Sequence, residues 1–347
     1  MHTPSHKLDP DGDVLLTLHN PAAPFAVWVN RTLLPPPPPH SDSQHVSAKT
    51  DDDGSLSAKK PDVRFLLSSK HLSLASDYFK RMFRSPWKES SADLSTGYHH
   101  VDAKDWDPDA LLILMQILHC QNAAVPTSVD LEMLAKLAVL VDYYRCHDAT
   151  TIWVKTWIPN VKDSVPSVKS CFPNKCGRNL ILWILIARVF DLQDISRTVF
   201  EVACKYCPCP LPTLDLPIVS VAEKVNSIRL HTLEGIFDIL DWFLASYLNG
   251  TAGCSMECSA MLLGWLTKRM DGPKILPDER ECPYLGHSTA SVIEAIKGFG
   301  SPRWYHNDDE LEHPCKLFYG QTELGTWIAL RGLDLESLIN DPNRRTR

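Results

Sequence analysis

Five consecutive prolines, Pro35 to Pro39, constrain this chain more than any other feature. Each proline holds φ near about −65° and donates no backbone hydrogen bond, so the run is extended and can join neither a helix interior nor a central strand. The residues that follow, His40 to Lys60, are mostly Ser, Asp and Lys, with almost nothing to bury. Residues 35–60 therefore read as a disordered insertion. A ligand for an SH3 or WW module is the sharper reading of such a run, and a spacer is the commoner one. An ordered domain at this end has to be built from elements on both sides of the insertion.

Upstream, the turn former Asp11-Gly12-Asp13 precedes a strand signal at Val14 to Leu18, and Phe25 to Leu34 reads as a further extended segment. Downstream, Val63 to Leu67 reads as a strand. It is followed by a helix with Leu72, Ala75, Phe79, Met82 and Phe83 on one face. His99 to Asp102 reads as a short strand. Asp107-Pro108 is a helix start, because Asp accepts backbone N–H groups at a cap and Pro suits the first turn. The helix it opens runs to about Cys120 and is almost continuously apolar from Leu111 to Met115, which predicts a buried domain centre. Leu131 to Tyr144 and Ala149 to Trp157 complete this part.

From about Asn160 strand signals fade. Helical patterns cover Arg178 to Phe190, Ile195 to Cys204, Pro217 to Leu248, Cys258 to Met270, Ser288 to Lys297 and Thr322 to Leu330. The segment from Pro217 is longer than usual, so a break is expected near Gly235, and Gly250 stands just past its end. No internal repeat is visible, which argues against kelch or ankyrin arrays.

With 44% hydrophobic residues in 347, most of the chain can bury a core, and the length suits one large domain or two moderate ones. Lys plus Arg is 35 and Asp plus Glu is 42, so the net charge is 35 − 42 = −7. That balance argues against a nucleic-acid partner. The longest apolar run, Leu180 to Phe190, contains Arg188 and is too short to span a bilayer, so no membrane partner is expected. MHTPSHKLDPDGD lacks the apolar stretch of a signal peptide, and the 11 scattered cysteines read as thiols or metal ligands, so an intracellular location, cytoplasmic or nuclear, is expected.

The order strand, strand, helix, short strand, buried helix, helix pair is carried by GDVLLTL, VRFLLSSKHLSLASDYFKRMF, HHVDAKDWDPDALLILMQILH and LEMLAKLAVLVDYYRC. This text resembles the BTB/POZ domain, most closely the form found in filamentous fungi, over about residues 10–160. The matching points are Asp13-Val14, Phe65 with Leu72, Ala75, Ser76, Phe79 and Phe83, the stretch Asp105 to Pro108, and Leu134 to Tyr143 followed by Tyr144 and Cys146. Many animal forms place a His three residues after the strand Phe, where this chain has Ser68. Residues 161–340 look like the helical extension of such proteins, with Cys254, Cys258, Trp304, His313, Cys315 and Gly332 to Leu335 at familiar positions. The implied fold class is α+β, a small sheet flanked by helices, followed by an all-α region.

The resemblance implies an interaction module and no catalysis. It implies a homodimer built through the first strand, taken as an edge strand, and the first helix. Val14, Leu16, Leu72, Phe79 and Phe83 are the candidate surface. In some families it implies recruitment of a cullin ubiquitin ligase. An oligomerising scaffold or adaptor is thus the first reading. A transcriptional or chromatin regulator is the second, against which the lack of C2H2 fingers or a basic patch counts.

No motif for a nucleotide loop or a zinc protease is present. Gly286 to Ala290 approaches G-x-S-x-G but lacks the last Gly and a preceding strand, so Ser288 or Ser291 reads as a helix cap, with Ser291 to Glu294 fitting a capping box. Cys254-x3-Cys258 and His313-x-Cys315 could supply a Cys3His zinc set if the fold brings the loops together, and Cys204, Cys207 and Cys209 form a second sulfur group. The alternative for each cysteine is a small buried hydrophobe, and no other cofactor is expected. Trp153, Trp157, Trp183, Trp242 and Trp265 read as core.

Overall fold

The computed structural model describes residues 4–21, 23–28, 61–84, 97–167, 176–303 and 314–318. The insertion at 35–60, the helix expected at Thr322 to Leu330, and residues Trp304, His313 and Gly332 to Leu335 lie outside the described residues. The chain divides into two compact units, residues 1–163 and 164–347.

The first unit is α+β. Its strands are β1 (His6–Lys7), β2 (Val14–His19), β3 (Val63–Leu67) and β4 (His99–Lys104), in the order β1-β3-β2-β4. β2 runs antiparallel to β3, with Val14 opposite Leu67 and Leu18 opposite Val63, and parallel to β4, with Val14 opposite His99. β1, too short to signal itself in sequence, pairs parallel with β3 through His6 and Phe65. β2 is therefore an inner strand, not the edge strand expected from sequence. Its period-two pattern places Val14, Leu16 and Leu18 on a fully buried face. Residues 23–28 contain no strand, so the described part of Phe25 to Leu34 is not the extended element expected.

Five helices cover the sheet: α1 (Ser69–Ala75), α2 (Asp77–Arg84), α3 (Pro108–Leu118), α4 (Leu131–Tyr144) and α5 (His147–Val161). The single helix expected after β3 is broken at Ser76, whose backbone is extended. The Ser76 hydroxyl donates to the carbonyl of Tyr144 at 2.6 Å and accepts the Phe79 N–H at 3.2 Å, which stabilises the break. α3 begins as its sequence dictates. The Asp107 carboxylate accepts the N–H groups of Asp109 and Ala110, each at 3.0 Å, with Pro108 in the first turn. Leu111, Leu114 and Met115 are fully buried, each contributing about 1.5–3 kcal/mol of apolar burial.

The second unit is all-α among its described residues: α6 (Arg178–Val189), α7 (Gln193–Tyr206), α8 (Val219–Leu248), α9 (Met256–Asp271) and α10 (Thr289–Lys297). α6 is buried on nearly every side, from Leu180 to Ala187 and at Val189. α8 runs 30 residues without the break expected at Gly235. Gly235 lies between buried Leu233 and Ile236, and continuous burial outweighs the roughly 1 kcal/mol that a helix glycine costs. The helix stops at Asn249, and Gly250 takes the left-handed conformation (φ 67°) that suits the position after a cap. α10 opens on a capping box one turn earlier than Ser291 to Glu294. Ser288 Oγ accepts the Ser291 N–H, and Ser291 Oγ accepts the Ser288 N–H. Ser288 is fully buried in that role.

Trp157 and Trp183 are core residues, and Trp265 donates from Nε1 to the Phe299 carbonyl at 3.0 Å. Trp153 is half-buried, and Trp242 is not core: it is 47% exposed, because its position on α8 faces away from the buried stripe of Ile239, Leu240 and Phe243.

Candidate functional site

The expected interaction surface of the first unit has to be moved. Val14, Leu16, Leu72 and Phe79 have no exposed area and form the domain's own core, while Phe83 is half-buried. The same apolar spacing that suggested a contact face is satisfied inside the fold. Phe79 stacks on Tyr144 at 5.0 Å and on Phe83 at 6.2 Å, and β2 already has a strand on each side.

Exposed apolar surface lies two positions away from that core. Leu74 is 89% exposed at the end of α1, although its neighbour at Leu72 is fully buried. It stands at the rim of a cleft of about 840 Å³ between the α1–α2 break and the α4–α5 junction. The cleft is lined by Ser76, Asp77, Asp142, Arg145, His147 and Asp148, among others. Arg145 is in the left-handed conformation (φ 50°) at the α4 cap, and its carbonyl accepts the Asp77 N–H at 3.4 Å. The wall is therefore held from both sides by backbone bonds and by the Ser76 bridge. A protruding leucine beside a polar, well-braced cleft can bind another protein. The sequence marks Leu74 only by its being off the apolar stripe.

Two histidines show how the sheet is tied. His19, the last residue of β2, places Nδ1 2.9 Å from Asp62 and Nε2 3.2 Å from Asp102. The hydrogen bond to Asp62, then that to Asp102, raises its pKa. His119 is buried: its Nε2 accepts the Ser68 N–H at 2.9 Å and its Nδ1 donates to the Met115 carbonyl at 2.8 Å. Burial holds its pKa below the ordinary value. For Asp13, burial alone would raise the carboxyl, but the Ser69 hydroxyl and N–H, at 2.6 and 2.7 Å, bring it below the usual carboxylate range.

In the second unit the structure brings Cys254, Cys258 and Cys315 together, with all Sγ atoms within 4.8 Å of one another. Cys258 and Cys315 are buried and Cys254 is exposed. Burial, then the neighbouring Cys258 and Cys254 thiols, pushes Cys315 up to about 11. His313, the expected fourth member, lies outside the described residues. Cys204, Cys207 and Cys209 do not converge in this way. Cys207 instead lies 2.6 Å, sulfur to sulfur, from Cys176, a residue the sequence did not single out. Burial pushes the Cys204 thiol up to about 12.

The other residue that sequence reasoning missed is Arg229 on α8, which is 1% exposed. Its guanidinium donates to five carbonyls, those of Cys207, Pro208, Pro283, Tyr284 and His287, at 2.6–3.2 Å. Nothing in its local sequence distinguishes it from a solvated helix arginine.

Residues 53–157 match the family model of the BTB/POZ domain. Residues 53–157 thus belong to a BTB/POZ domain, followed by a region that is helical among its described residues, and BTB/POZ domains are protein–protein interaction modules. The match begins downstream of the proline run, so β1 and β2 lie outside it; strand pairing with β3 is what joins them to the same sheet. No curated protein matches the chain by sequence. No helix among the described residues is long and apolar enough to cross a membrane.

Proposed function

We propose that this chain is a self-associating scaffold or adaptor whose contact face is the Leu74 rim of the BTB/POZ unit. The observation that carries the reading is an almost fully exposed leucine beside a braced cleft, on a domain whose family works by binding proteins. Two copies related by a two-fold axis would each bring Leu74 to the shared face, so one side chain is used twice. The adaptor role is favoured over chromatin regulation because the chain is acidic overall, with net charge −7.

Light scattering of the full chain at tens of micromolar is expected to give a dimer. Leu74→Arg is expected to weaken it by about 30-fold, because the two copies of the side chain at the shared face together contribute roughly 2 kcal/mol, with an unchanged melting curve. Phe79→Ala is the contrasting variant. It should cost about 3–5 kcal/mol of stability because it empties a core position. A monomeric wild-type chain, or a Leu74→Arg chain that dimerises as the wild type does, would remove this face from consideration. Affinity capture of the wild type then tests the finer role: cullin peptides support a ubiquitin-ligase adaptor, and chromatin factors support the regulator instead.

A further inference from the structure

We propose that Cys254, Cys258 and Cys315 form a structural zinc site in the helical unit, three thiolates that fasten residues 314–318 to the turn between α8 and α9. The sulfur atoms already lie within 4.8 Å of one another although 56 residues separate Cys258 from Cys315 in the chain. Tetrahedral zinc with Zn–S bonds of about 2.3 Å needs sulfurs about 3.8 Å apart, a contraction of about 1 Å at most. Three sulfur donors with no carboxylate among them favour a borderline ion such as zinc over magnesium or calcium.

The surrounding backbone is shaped around the sulfurs. Gly253 has φ +95°, and a Cβ there would stand 3.1 Å from the Ser259 nitrogen and 3.3 Å from Cys258 Sγ. Only glycine combines that conformation with so close a pass over the sulfur. Cys258 sits in the first turn of α9, where Ser255 Oγ accepts its N–H at 3.2 Å. On the other side, the Leu317 N–H donates to Ser301 Oγ at 2.8 Å, and the Tyr247 hydroxyl donates to the Leu317 carbonyl. Cys315 and Leu317 are thereby set into the cluster formed by Phe243, Tyr247, Cys258 and Leu262. The metal adds a further tie to a short segment held by these hydrogen bonds, among other contacts, and by its packing. On binding, each thiol releases its proton to solvent as its sulfur bonds to zinc, one further donor completes the tetrahedron, and no atom is oxidised or reduced.

The test is elemental analysis of the full chain, purified in reductant without added metal and without an affinity histidine tag. About one zinc per chain is expected, and chelator should lower the melting temperature. Cys254→Ser is the informative variant, because Cys254 is exposed and its loss leaves the core intact; it should fold and yet retain less than about a tenth of an equivalent. Cys282→Ser, at an exposed cysteine elsewhere, should keep its zinc. A wild-type chain that holds less than a tenth of an equivalent, takes up none from zinc chloride and melts unchanged in chelator would overturn the site. So would a Cys254→Ser chain with full zinc content, or a Cys258–Cys315 disulfide in the wild type.

Discussion

The two units bury similar helices but secure their loops by different means. In each, one helix is apolar on nearly every side, α3 in the first and α6 in the second. In the first unit, loops are anchored by short side chains next to the backbone they bind: Asp13 to Ser69, Ser76 to Tyr144, Asp107 to Asp109 and Ala110, Asp130 to Met133. The second unit has short anchors too, such as Ser288 at α10 and Ser301 to Leu317, but there one long side chain, Arg229, also gathers carbonyls from two separate loops, 207–208 and 283–287. Short anchors distribute the stabilisation over many positions. A single buried guanidinium concentrates it at one, where its removal leaves several carbonyls without a donor at once.

That contrast can be broken most severely at Arg229. Arg229→Met fills similar volume but takes a donor from five carbonyls, of which Pro208 and Tyr284 keep the Gly286 and His287 N–H groups, and should cost about 3–5 kcal/mol. In denaturant the second unit should unfold earlier while the first keeps its midpoint; a coincident shift of both would show that the units are not independent. Asp107→Ala tests the distributed scheme with a smaller effect. Loss of the α3 cap, with Lys136 left 2.9 Å from a missing carboxylate, should cost about 1 kcal/mol. The shift should appear in the first unit's transition only.

The smallest effect is a pH dependence within the first unit. The pKa of His19 is raised in the fold, so its contribution is complete below the unfolded value of about 6.5 and is lost as pH rises through the folded value. The pKa of His119 is lowered, so stability is present above about 6.5 and is lost as pH falls. The two slopes oppose one another. His19→Gln should leave only the His119 slope, making the unit lose stability more steeply between pH 7 and pH 5. Because His19 is 41% exposed, the change is expected to stay below about 1 kcal/mol. Melting curves of both chains across that range measure it.

What could be read from the residues follows the same division. The start of α3 was legible because Asp107-Pro108 carries both the cap acceptor and the restricted φ within two residues. The apolar face of α2 was legible as a pattern but misread as a contact surface. Spacing shows that Phe79 shares a stripe with Leu72 and says nothing of whether that stripe meets the same chain or another. The Cys254 and Cys258 pair could be read as C-x3-C, and Cys315 with His313 could be suspected as a partner; Cys176 beside Cys207 could not.

By itself the sequence determined the α+β and all-α character of the two halves, most helix limits and the α3 cap, because periodicity, cap chemistry and proline geometry act within a few residues. The tertiary structure alone decided that β2 is an inner strand, that Leu74 rather than Leu72 faces solvent, that α8 passes Gly235 unbroken and that Arg229 serves five carbonyls. Each of these depends on groups far apart in the chain meeting in space, and local spacing carries no record of such meetings.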